Sequence, residues 1–429
     1  MRSRLTVKSV RGPSRCRVYG VAVAALLIAC PPGAQAQEWS QWRGRDRDGV
    51  VHDFVAPETW PEELHRRWQV EVGTGHSTPI VVNDRIYLHT RDEEADTEVV
   101  SALQLADGQL IWQDTYAAPY RMHPAGRAFG KGPVSTPLVA DGRLFTFGKG
   151  GALSSYDLES GERIWQENFA GQFAAKFPLY GTGMSPILEG NRLIVQAGGP
   201  GDGALIALDP ATGEIIWSLQ GDGPSYVSPI VVELEGQPQV VTQSDAYIIS
   251  VAVDSGRLLW RLPFRTEFDQ NVVSPVVHGD KLILSGLNQP LFAIRLSREG
   301  DEWATEELWS NPSTSLYMST PVLVGDRLFG MTHRRKGQFF AMNVDTGETL
   351  WTSEGREGDN GSFLVLDDLL VVLTDSAELI VLHPDAGEFA PLRRYTVADS
   401  QTWAHPVPTR GGFLIKDLSS LALWGFEGN

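Results

Sequence analysis

The sequence predicts an all-β protein, an eight-bladed β-propeller of four-stranded antiparallel blades whose last blade is closed by an N-terminal strand. Three observations predict it. A turn of the form apolar-x-Asp-x-x-x-Gly leading to Trp, or a worn version of it, recurs along the chain, clearest at Ala207–Trp217 and again at 102–112, 155–165, 250–260 and 341–351. Strand openings marked by Ser/Thr-Pro recur in step with it, and the final unit runs out of chain one strand short. Self-similarity at a period of about 40–50 residues means a supersecondary unit that buries its apolar face only against its neighbours.

The openings fix the register. Thr78-Pro79, Thr136-Pro137, Ser185-Pro186, Ser228-Pro229, Ser274-Pro275 and Thr320-Pro321 each precede an apolar run, and worn versions follow at Gly361-Ser362 and Ala404-His405-Pro406. Proline is tolerated at the first residue of a strand because its missing N–H lies outside the ladder. Each opening is followed by a polar turn, two further strands, a Thr-Gly or Ser-Gly turn and a fourth strand reaching Trp. Asp and Gly supply the left-handed backbone that such hairpins need. No segment after the N-terminal region has a sustained 3.6-residue apolar period, so helix is minor. Four-stranded units with short turns, eight times over, describe a propeller around a central channel.

The eighth unit supplies strands near 406, 413–416 and 421–424 and then ends, whereas the strand 67–72, around Trp68, precedes the first opening and has no unit of its own. The expectation is that 67–72 pairs beside 413–426 and latches the ring. The chain thus divides into an export signal at 1–36, a lead-in at 37–66 and the propeller at 67–429.

Composition narrows the partners. The net charge is −17, and the first 20 residues hold six of the 36 basic residues and no acid; without them 30 basic stand against 53 acidic residues, or −23. Such a surface repels phosphate backbones and anionic lipid, which excludes nucleic acid as a partner. The basic stretch, the apolar run Val21 to Ala29 and the small residues after it read as an export signal, and nine apolar residues are too few to span a bilayer as a helix. Two processing sites compete: cleavage after Ala36, which follows the small-x-small pattern Ala34-Gln35-Ala36, and lipidation at Cys30 in Leu27-Ile28-Ala29-Cys30, which resembles a lipobox. Cys16 and Cys30 are the only cysteines. An oxidising compartment therefore offers the propeller no disulfide, and packing alone must hold it. The expected protein is a periplasmic monomer, free or lipid-tethered, with no membrane span after the signal.

The Ala-x-Asp-x-x-Thr-Gly-x-x-x-Trp repeat resembles that of the pyrroloquinoline-quinone (PQQ) propellers, over roughly residues 67 to 427, and Trp39–Val50 looks like the lead-in of exported bacterial members. The resemblance implies Trp side chains in girdle contacts between blades, and a shape shared with quinoprotein alcohol dehydrogenases and the propeller lipoprotein of the outer-membrane barrel-assembly machinery. It also implies PQQ with Ca²⁺ as the cofactor if the protein is an enzyme. The adjacent cysteines such dehydrogenases place at the quinone are missing, since no cysteine lies beyond Cys30, and their metal ligands find no match.

Residues just before each opening are expected at one mouth of the channel: His76, Met184, Tyr226, Asn271, Tyr317, Met318, Trp403 and His405. Aromatic, His and Met side chains are unusual at turns, which favour Gly, Asn and Asp. They form either a pocket for a small molecule, sugar or peptide, with Trp403 or Tyr317 as stacking face and His76 and His405 as polar anchors, or a plug that caps the inner strands. The basic run Arg334-Arg335-Lys336 is a candidate anion contact or a solvated hairpin. Gly199-Pro200-Gly201-Asp202-Gly203 opens no helix and reads as a turn, Asp46–Gly49 lacks the ligands of a calcium loop, and no nucleophile elbow or zinc-protease helix is present. Asp107, Asp157, Asp209, Asp254 and Asp345 are expected to cap their own turns. The function classes left are a non-catalytic binding or assembly platform of the cell envelope, a PQQ-dependent dehydrogenase of alcohols or sugars, and a carbohydrate-binding propeller. No metal site is expected.

Overall fold

The computed structural model describes residues 38–427 apart from 53, 175, 176, 235 and 301. The export signal, Cys16 and Cys30 lie outside the described residues. Eight antiparallel sheets follow one another along the chain, at 80–117, 138–168, 187–221, 230–263, 276–311, 322–352 and 361–396, with the eighth built from 407–425 and His65–Glu71. These are blades one to eight.

The predicted latch forms. His65–Glu71 pairs antiparallel with Ser420–Gly425, with Gln69 opposite Ala422 and Val70 opposite Leu421. Trp68 then reaches onward to blade one, where its Nε1 donates to Leu105 O at 3.1 Å. The ring is closed by a strand donated from the other end of the chain, which gives blade eight the same four strands as blades one to six.

The Trp girdle repeats this contact from blade to blade. Trp112 donates to Leu158 O, Trp165 to Pro210 O, Trp217 to Val253 O, Trp309 to Val344 O and Trp351 to Ala386 O, each carbonyl lying in the next blade's third turn. Blade five has no such turn, because Leu291–Glu299 and Glu302–Asn311 form one long hairpin. Trp260 accordingly turns to Gln239 Oε1 within its own blade, at 3.1 Å.

The turn aspartates do not share one position. The residue four before the turn Gly accepts the Gly N–H through its backbone carbonyl in blades one, two, three, four and six, and its side chain is the one placed to cap the turn. Asp157 and Asp209 stand there and accept two backbone N–H groups each. These bonds hold both carboxyls below their ordinary range. In blade six Asn343 holds that position, and Asp345 instead pairs with Lys281 of blade five. Asp107 accepts a single N–H, from Gln109, and Asp254 accepts the Ser255 hydroxyl. The expectation of five equivalent caps is corrected accordingly.

The Ser/Thr of the openings works between blades. Thr136 N–H donates to Ser185 Oγ, Ser185 N–H to Ser228 Oγ, Ser274 N–H to Thr320 Oγ1 and His405 N–H to Thr78 Oγ1, all at 2.9–3.2 Å. At these four openings the hydroxyl beside Pro thus satisfies an N–H of the preceding blade at the crowded axis, where buried backbone donors must find partners, while the Ser274 hydroxyl instead donates to Ser228 O.

The lead-in occupies the axis. Trp39, 2% exposed, exchanges two backbone hydrogen bonds with Val81 of blade one, and Ser40 O accepts from Val139 of blade two. Val50–Val51 then adds a parallel fifth strand to the opening strand of blade seven. Between them the buried guanidinium of Arg43 donates to Pro321 O of blade six, and that of Arg47 to Ser185 O and Pro186 O of blade three. One short segment therefore touches the inner strands of five blades.

Candidate functional site

At the end of the axis beyond the lead-in, the loops before the opening strands enclose a cavity of about 200 Å³. Of the eight residues expected at the mouth, His76, Tyr226, Tyr317, Met318, Trp403 and His405 line it. Met184 and Asn271 do not. Both are fully buried: Met184 packs among Leu138, Phe145 and Leu193, and Asn271 Nδ2 donates to Ser244 O at 2.7 Å. The alternation of side chains at a strand opening sends one neighbour to the axis and the next into the blade.

The mouth residues, for which pocket and plug are the alternatives, line an open cavity, and the lead-in fills the axis beneath it. Trp42 of the lead-in forms the cavity wall on that side. The mouth residues form the pocket above it. Rings run around the wall: Trp42 lies edge-on to His405 at 6.1 Å, Trp403 lies 6.1 Å from His76 and 5.5 Å from Phe129, and Phe129 and Tyr226 each lie 5.9 Å from Tyr180. Gln270 Nε2 fixes Tyr180 by donating to its hydroxyl at 2.7 Å. Burial pushes the Tyr317 hydroxyl up to about 12, so it stays a neutral donor.

Two lysines escaped the sequence reading. Lys416, 1% exposed, gives its Nζ to the carbonyls of Gly75, Asp417 and Leu418, tying blade eight to blade one beside His76. Lys149, 2% exposed, lies on the cavity wall in the Gly148–Gly151 hairpin, with its chain packed on Gly181. Glycines on both sides of a lysine were the available signal. Its backbone N–H donates to Glu98 Oε1 at 2.8 Å, and Glu98 Oε2 accepts from Tyr116 at 2.5 Å and faces His89 at 3.2 Å. Burial alone would raise the Glu98 pKa; these hydrogen bonds hold it below the ordinary carboxylate value. Burial, and next the charges of Lys416 and Lys149, depress His76 to about 3, and burial followed by Arg43 does the same to His405. Both imidazoles are neutral at pH 7.

The basic run lies outside this wall. Arg334–Lys336 forms a single turn whose Arg335 O, Lys336 O and Gly337 O accept from residues 356–358, and Arg334 donates to Pro312 O.

A family model described as outer membrane protein assembly factor BamB matches residues 95–353 and 305–393. The chain belongs to this family. BamB of Yersinia pestis is 25% identical over 277 residues, 64% of this chain and 63% of its own length, and BamB of Shewanella oneidensis is 25% identical over 51% of this chain and 56% of its own. The chain thus spans less than two thirds of these relatives. Quinohemoprotein alcohol dehydrogenase ADH-IIG of Pseudomonas putida is 26% identical over 81% of this chain and 43% of its own. Among solved structures, BamB of Moraxella catarrhalis matches with a TM-score of 0.58 at 14% identity, covering 85% of this chain and 98% of that one. Quinohemoprotein alcohol dehydrogenase of Comamonas testosteroni matches with 0.66 at 12%, covering 92% and 81%. At these identities the structures establish the shared propeller.

The family's dehydrogenase branch raises the question of PQQ with Ca²⁺. The cavity wall carries no Asp or Glu, and among the described residues no group of three or more His, Cys, Asp or Glu is placed to hold a metal ion. Ca²⁺ takes six to eight oxygen ligands with carboxylates prominent among them. Trp42 and Trp403 offer ring faces, yet the wall does not fit a calcium-bound quinone.

Proposed function

We propose that the protein is a non-catalytic binding or assembly platform of the bacterial cell envelope, exported and working in the periplasm, either free after cleavage behind Ala36 or tethered through Cys30. The carboxylate-free cavity wall carries this reading, because oxidation of an alcohol at a calcium-bound quinone needs carboxylates to hold the ion and to take the proton, where this wall has one lysine and imidazoles held near pKa 3, too weakly basic for that task. Kinship with assembly factors supports the choice of a protein partner. No helix among the described residues is long and apolar enough to cross a membrane. A ring closed blade to blade, with only short outer edges left open, also suits a rigid docking body rather than a moving one.

The test has two arms. A photo-crosslinker placed on the blade rims in the source cell should give a discrete adduct with an envelope protein. The purified protein, supplied with PQQ and Ca²⁺, should reduce no dye with alcohols or aldoses; turnover lost in Trp403→Ala would replace the platform with a dehydrogenase.

A further inference from the structure

The axial cavity has the charge and polarity of a site for a small acidic solute. In a chain with 53 acidic residues, no Asp or Glu reaches its wall, while one buried lysine does. The two buried lysines differ in a telling way. Lys416 Nζ is taken up by three carbonyls, whereas Lys149 Nζ has no hydrogen-bond acceptor among the described residues and feels Glu98 only as a nearby charge. A buried ammonium without a partner is costly, and a ligand carboxylate would relieve that cost. Arg43, Arg47 and Lys416 stand behind the wall with hydrogen bonds given chiefly to backbone carbonyls; Asp48 partly offsets Arg43, and Asp417 and Glu71 partly offset Lys416, whereas Arg47 has only the neutral Gln41 side chain and carbonyls against it. The depression of His76, to which both lysines contribute after burial, is the local sign of that positive field.

A second observation points to a hydroxylated ligand. His76 is 8% exposed and lines the cavity, yet neither ring nitrogen reaches good hydrogen-bond geometry, the Phe129 backbone standing near it without satisfying it, and Nδ1 of His405 is unpartnered. Buried polar atoms are nearly always satisfied, so these await donors and acceptors from elsewhere. Neutral imidazole offers one of each, which matches a hydroxyl. The ring faces of Trp403 and Trp42 supply the apolar surface that the C–H face of a pyranose covers.

We propose that this cavity binds a monocarboxylated sugar, with the carboxylate at Lys149, hydroxyls at His76 and His405, and the pyranose face against Trp403. Calorimetry on the purified protein with D-glucuronate, D-glucose and benzoate tests it. Glucuronate should saturate one site at least tenfold more tightly than glucose, and Lys149→Met should bring it down to the glucose level. Should that variant fail to fold by circular dichroism, Trp403→Ala, at the half-buried rim, should weaken glucuronate and glucose alike by tenfold or more. The proposal is overturned by glucuronate binding no tighter than glucose, by unchanged binding in the folded variants, or by benzoate binding as tightly as glucuronate. A short peptide that outcompetes glucuronate through its free C-terminus, and loses this when amidated, would assign the cavity to peptide ends instead. None of these outcomes bears on the rim cross-linking that tests the platform reading.

Discussion

The indole of Trp217 lies flat against Gly256 of the next blade, so close that a Cβ on that glycine would stand 2.5 Å from the ring. Gly256 also holds a φ of +66°, and its N–H closes the turn onto Ala252 O. The glycine is thus required twice, for its backbone and for its missing side chain. Gly256→Ala should cost about 2–4 kcal/mol, combining overpacking with left-handed strain, while Trp217→Ala, at an 8% exposed site, should cost about 3–5 kcal/mol. Chemical denaturation of each variant checks both figures, and the double variant should cost less than their sum because the two residues share one contact.

Removing the axial guanidiniums should loosen the whole ring. Arg47 joins the lead-in to Ser185 O and Pro186 O, and Arg43 joins it to Pro321 O, so each Arg→Met change strands buried carbonyls while keeping volume. Hydrogen bonds to charged groups contribute about 1.5–3 kcal/mol each. Arg47→Met should lower the denaturation midpoint by more than Arg43→Met if the count of inter-blade bonds governs the loss. Limited proteolysis should then cut first within residues 38–51, whose intact mass reports the nick.

These residues also show where sequence reasoning stopped. The missing fourth strand of blade eight and the orphan strand around Trp68 were countable, so the latch was legible. The Ser/Thr-Pro openings marked strand starts correctly, but their hydroxyls act on a neighbouring blade, and no local pattern carries that distance. Trp42, Arg43 and Arg47 stand in a segment of their own with no repeat to align against, so their place on the axis was invisible. Mouth residues could be named from the register, yet Met184 and Asn271 differ from their neighbours only by the direction of one side chain. Lys149 sits on a second-to-third strand hairpin, away from the strand openings whose repeat marks the mouth.

Acid should destabilise the protein before its carboxylates titrate. His76 is held near pKa 3 in the fold, by burial first, against about 6.5 in the unfolded chain. The unfolded state therefore binds the extra proton between these values, and stability rises with pH across that window and falls as the pH drops from 6.5 toward 3. The slope is at most about 1.4 kcal/mol per pH unit for one such group. Melting curves at pH 7 and pH 5 should show the wild type losing stability, and His76→Gln, which keeps polar atoms without a titratable one, should lose measurably less.

Cross-linking the seam should test the latch directly. Gln69 and Ala422 are direct partners across the antiparallel pair that closes blade eight, the spacing at which a disulfide can form. In a Cys16→Ser, Cys30→Ser background, Gln69→Cys with Ala422→Cys should oxidise spontaneously and shift mobility on a non-reducing gel. The bond closes a loop of more than 350 residues. In the chain-entropy account such a loop stabilises by upwards of about 4.7 kcal/mol, although strain at the bond subtracts from this. Oxidised protein should therefore unfold at higher denaturant than the same sample after reduction, whereas pairing that exists only transiently at the seam would give slow, incomplete oxidation and no difference between the two.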